Sequence, residues 1–72
     1  MTKEDAKKIL ETYHEIDDDT GDHIHYRVLS FVGKHGDAFV FQCIQENMTV
    51  DDYDIVPEFA VYEDGTVLSL PL

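Results

Sequence analysis

Seventy-two residues, 43% of them hydrophobic, allow one domain spanning 1–72, with a core near the minimum for independent folding and too much apolar content for wholesale disorder. Sixteen acidic residues against five basic ones give a formal net charge of −11, and from His35 onward there are eight acids and no Lys or Arg. Such a surface repels phosphate backbones and anionic lipid, so neither nucleic acid nor membrane is an expected partner; no apolar run approaches the ~18 residues of a membrane span. The charged N-terminus lacks the apolar segment of a signal peptide. Cys43, the lone cysteine, reads as a small buried hydrophobe in a reducing compartment, so the expected location is cytoplasmic.

Thr2 to Glu15 is expected to be helical. Thr2 can cap it with Asp5 three residues on, and Glu4 and Asp5 suit the positive end of the helix dipole. Ala6, Ile9, Leu10 and Tyr13 recur at helical spacing as one apolar stripe, while Glu4 and Lys8 make an exposed i,i+4 pair. The run Asp17-Asp18-Asp19-Thr20-Gly21-Asp22 suggests a calcium loop only superficially. Gly falls fifth rather than sixth, and Val28 stands where a bidentate Glu is needed, so a solvated turn is the reading. His23 and His25 lie two apart and share one side of a strand. With His14 they make a candidate zinc set, but local spacing fixes no third ligand, and no metal or other cofactor is assigned.

Residues 24 to 32 and 38 to 45 are rich in Ile, Tyr, Val and Phe and face each other across a turn containing Gly36, which predicts a hairpin. A three-residue loop, His35-Gly36-Asp37, pairs Val32 with Val40 and Phe31 with Phe41. It gathers Leu29, Phe31, Phe39, Phe41 and Cys43 on one face, continued by His25 and Arg27. A two-residue loop instead places Phe39 and Phe41 with Tyr26, Val28 and Val32. The first is preferred because one face becomes almost wholly apolar.

Glu46 to Asp54 is a polar, acidic connection, with Val50, Tyr53, Ile55 and Val56 expected to tuck it onto the core. Pro57 to Glu63 reads as a third strand, Phe59 and Val61 on one side and Ala60 and Tyr62 on the other. Asp64-Gly65 signals a second hairpin, and Thr66 to Leu70 is a short edge strand stopped by Pro71. The fold class is α+β: one N-terminal helix packed on a four-stranded antiparallel sheet of two hairpins, in two layers.

The opening Thr2-Lys3-Glu4-Asp5-Ala6-Lys7-Lys8-Ile9-Leu10 and the ending Phe59-Ala60-Val61-Tyr62-Glu63-Asp64-Gly65-Thr66-Val67 resemble the two ends of PepSY-type domains and of small immunity proteins of polymorphic toxin systems. The resemblance implies a helix on an antiparallel sheet and a role in binding or inhibiting another protein. PepSY domains usually sit in exported or membrane proteins, unlike the expectation here, and the middle of the chain carries no matching motif.

No nucleophile–base spacing or phosphate-cradling Gly loop is present, and sixteen acids on a small surface form close pairs by chance, so an enzyme is not expected. The expected function is a protein-binding module of inhibitor or immunity type. Its candidate surface is Asp51, Asp52, Tyr53, Asp54, Glu58, Tyr62, Glu63 and Asp64, facing a basic protein partner whose approach the charge would accelerate. Two alternatives stand beside it. One is a homodimer formed through a sheet face left uncovered by the helix, drawing on Ile24, Tyr26, Val28, Val32, Val40 and Ile44. The other is a weak metal-binding domain using His14, His23 and His25.

Overall fold

The computed structural model describes residues 1–70; the expected strand stop at Pro71 lies outside the described residues. In chain order the elements are α1 (Lys3–Thr12), β1 (His14–Ile16), β2 (His23–His35), β3 (Ala38–Gln45), one turn of 3-10 helix (Val50–Asp52), β4 (Glu58–Val61) and β5 (Val67–Leu70). All strand pairs are antiparallel, and the sheet runs β1-β2-β3-β4-β5. The sheet thus has five strands rather than the four expected, and it curls against one helix.

Helix α1 begins as its sequence dictates. The Asp5 amide donates to Thr2 Oγ1 and the Thr2 amide to Asp5 Oδ2, a reciprocal capping box. Those bonds hold the Asp5 carboxyl below its ordinary range, the Thr2 backbone bond contributing most. The helix ends at Thr12, short of the expected Glu15, because Tyr13 turns extended with φ −68° and ψ 141°. Thr12 Oγ1 bonds back to the Lys8 and Ile9 carbonyls in that last turn. The Glu4–Lys8 pair is not made; among the described residues the one ion pair joins the Met1 amino group to Glu63.

Residues 14–16, released from the helix, become β1 and pair with the start of β2: His14 opposite His25, Glu15 opposite Ile24 and Ile16 opposite His23. The Asp run is therefore a hairpin loop. Asp17 Oδ1 accepts from the amides of Asp19 and Thr20, the Asp17 amide donates to the Asp22 carbonyl, and Gly21 takes φ +75°. Asp and Gly are needed there because one accepts local backbone bonds and the other enters the left-handed region freely.

In the β2–β3 hairpin both expected registers are realised in different places. The loop has two residues, with His35 opposite Ala38 and Gly36 at φ +62°, as a turn with positive φ at its first central position requires. Lys34 thus faces Phe39, and Gly33 rather than Val32 faces Val40. One bulge at Val32 then slips the ladder so that Phe31 meets Phe41, as expected, and a second at Leu29 brings Val28 opposite Cys43. The corrected helix-side face of β2 is consequently Tyr26, Val28 and Phe31. Leu29 joins no core and stands 38% exposed; Val32, the other bulged residue, is 44% exposed. His25 and Arg27 lie on the opposite face, across from His14 and Ile44.

The core follows that register. Ala6 and Leu10 of α1 pack with Phe39, Phe41, Cys43, Phe59 and Val61, and Ile9, Tyr13, Tyr26, Val28 and Val67 close its margin. On the reverse of the sheet Ala38, Val40 and Ala60 form a second buried group under Tyr62 and Leu70. The division of β4, Phe59 and Val61 one way and Ala60 and Tyr62 the other, is as expected from alternation. The residues expected to form an open face for a homodimer do not share one: Val40 and Ile44 are buried within the chain, Tyr26 and Val28 belong to the helix side, Ile24 is half-buried and Val32 is 44% exposed.

Candidate functional site

The expected acidic surface divides in two. Glu58 and Tyr62 sit at opposite ends of the four-residue β4 and its exit, so the expected residues fall into one group before that strand and one after it. Tyr62, Glu63 and Asp64 gather with Asp37 and Thr66 where the two hairpin turns meet. Here the side chains already have local work. Asp64 Oδ1 accepts from the Thr66 amide, which lowers its carboxyl's affinity for a proton, and Glu63 bonds the Met1 amino group. Gly65 takes φ +88° and its amide closes the turn onto the Tyr62 carbonyl. Tyr62 covers Val40 and Ala60.

The other part is the connection between β3 and β4. Arg27 reaches across from β2 and donates to the carbonyls of Glu46 and Met48, which holds the chain's only Arg away from the surface acids. Around the 3-10 turn Asp52 Oδ2 accepts from the Thr49 amide at 2.7 Å and from Thr49 Oγ1, while the Asp52 amide donates to the Thr49 carbonyl. Tyr53 then folds inward. Its hydroxyl accepts from the Gln45 amide at 3.1 Å and donates to Met48 Sδ, while the Pro57 carbonyl accepts from the Cys43 amide. These two oxygens finish the edge of β3 beyond the reach of β4. Tyr53 is thus the strut of this segment and not a free anchor for a partner.

Because the strut fixes residue 53, its neighbours point out. Val50 is 49% exposed and Ile55 62%, with Asp51, Asp52 and Asp54 exposed between them. Val50 and Ile55 were expected to fold onto the core; only Tyr53 and Val56 are drawn in. Tyr53→Phe leaves the part-buried Gln45 amide without its acceptor, and a loss of about 1–3 kcal/mol is expected in urea unfolding, with faster hydrogen exchange at Gln45. Unchanged exchange at that amide would show that the hydroxyl is not its partner.

A third group lies at the β1–β2 hairpin. The imidazole of His14 has ring-centre distances of 4.8 Å to His23 and 5.5 Å to His25. Sequence spacing did not unite them because residues 13–15 read as helix. The alternation of His14 and Ile16, mirrored by His23 and His25 across an Asp-Gly turn, was the available signal. Beside them an open cleft of about 740 Å³ is lined by Asp17, Asp22, His23, His25 and Glu46, among others. Cys43 is buried, and burial pushes its thiol up to about 12, which leaves it inert as a nucleophile at neutral pH. No family model, curated protein or solved structure matches this chain.

Proposed function

We propose that the chain is a non-enzymatic protein-binding module of inhibitor or immunity type, which presents the segment 50–55 to a basic partner. The observation that carries this reading is the composition of that segment's exposed side: Val50 and Ile55 flank three aspartates on a backbone pinned by Tyr53. Exposed apolar side chains supply contact area that water disfavours, and the unneutralised carboxylates around them select and steer a cationic surface. Pinning the segment in advance lowers the ordering entropy lost on binding.

The test is affinity capture from the source lysate with the partner identified by mass spectrometry, followed by titration of that partner. The triple variant Asp51→Asn/Asp54→Asn/Ile55→Ser leaves the structural Asp52 in place. It is expected to weaken binding by about tenfold or more, and wild-type binding should fall as salt rises to about 0.5 M. A partner held equally well by the variant and at high salt defeats the proposal, as does the lack of any saturable partner.

A further inference from the structure

We propose that His14, His23 and His25 form a binding site for one zinc-class divalent transition-metal ion on the β1–β2 hairpin. The backbone register makes the set. His14 is directly opposite His25 in the ladder, and His23 is two residues from His25 on the same strand, so all three imidazoles rise from one face of the sheet. A tetrahedral ion with Zn–N bonds of ~2.0–2.1 Å holds its imidazole ring centres roughly 5 Å apart. The two separations from His14, 4.8 and 5.5 Å, bracket that spacing. Three neutral imidazoles with an open fourth position are also an established zinc donor set.

The hairpin holds these positions firmly. The hydrogen bonds of its loop are made by Asp17, Thr20 and the backbone, and none of them engages an imidazole nitrogen. β2 continues from here into the main sheet, which fixes the Cα positions of His23 and His25. Asp17 after β1, Asp22 before β2 and Glu46 after β3 line the cleft together with His23 and His25, and their carboxylates add negative potential beside the imidazoles. The rings themselves lie tilted against one another by 41° and 37°. In that arrangement no three His, Cys, Asp or Glu side chains among the described residues stand ready to hold an ion. Loading therefore requires the imidazoles to turn about χ1 and χ2. All three are exposed, so no core packing opposes that rotation, whereas the backbone spacing, which side-chain rotation cannot supply, is already correct.

Zn(II) titration by calorimetry and Co(II) titration by visible absorption test the site in the full chain. The expected result is one ion per chain with micromolar affinity, an intense tetrahedral Co(II) spectrum displaced by Zn(II), and no heat with Ca(II), which prefers oxygen donors. His14→Ala, His23→Ala and His25→Ala should each weaken Zn(II) by about 10- to 100-fold and abolish the tetrahedral spectrum, while His35→Ala in the distant turn changes nothing. Circular dichroism checks that each variant folds, with His14→Asn as the substitute if Ala disturbs the short β1 ladder. No Zn(II) binding, or binding that survives loss of His14 because carboxylates alone hold the ion, overturns the proposal.

Discussion

Phe59→Ala is expected to remove a large share of the stability of the fold. The side chain is buried on β4, opposite Phe41 on β3 and Ser69 on β5. Its ring centre is 4.7 Å from Tyr26 on β2 and 6.0 Å, edge-on, from Tyr13 at the helix end. One ring therefore joins α1, β2, β3 and β4. Truncating a buried Phe to Ala costs about 3–5 kcal/mol through lost transfer energy and the cavity left behind. A domain of this size holds roughly 4–11 kcal/mol in total, from ~0.05–0.15 kcal/mol per residue. Urea unfolding followed by circular dichroism should show a strongly lowered midpoint for Phe59→Ala, and a smaller loss for Phe59→Leu. A loss under about 1.5 kcal/mol for the Ala variant would mean that the helix and sheet do not meet at this residue.

Stability is expected to fall steeply as pH rises from about 9 to 12, the interval between the ordinary value of the Cys43 thiol and its value in the fold. Burial raises that thiol. Burial also raises the Tyr26 hydroxyl, helped by its bond to the Glu15 carboxylate, and raises Tyr13, which donates to the other oxygen of the same carboxylate. All three groups hold their protons more tightly folded than unfolded. Their contribution is whole below the unfolded values and is lost as pH climbs toward the folded ones, because only the unfolded chain then releases protons. Each group ionised solely in the unfolded state removes about 1.4 kcal/mol per pH unit. Cys43→Ala is expected to lower stability at neutral pH yet flatten the alkaline slope by about that amount. Ionisation of Tyr26 and Tyr13 should appear only together with unfolding. A flat stability profile up to pH 12 would contradict the raised thiol.

Several features of the chain were legible without coordinates because they depend on neighbours in sequence. The Thr2–Asp5 capping box closes over three residues, and the Ala6, Ile9, Leu10, Tyr13 stripe is fixed by helical periodicity; Ala6 and Leu10 are its buried pair. Alternation alone sorted Phe59 and Val61 from Ala60 and Tyr62. Gly36 and Asp64-Gly65 marked both later turns because positive φ there demands Gly.

What the sequence could not determine was anything set by pairing at a distance. The alternation in a strand of three residues is too short to displace a helical reading of residues 2–15, so β1 was absorbed into the helix and with it the meeting of His14 with His23 and His25. Each bulge in β2 moves every later side chain to the other face, yet Leu29 and Val32 look like any other strand residues until the partner strand refuses them. The acidic surface was read along the chain, whereas the structure sets its residues in two groups at the two ends of β4. Tyr53 looked like a binding anchor for the same reason: only the folded sheet supplies the unpaired Gln45 amide that draws its hydroxyl inward. Local chemistry decided where the chain turns and caps; the competition of strands for a single core decided which side chains face one another.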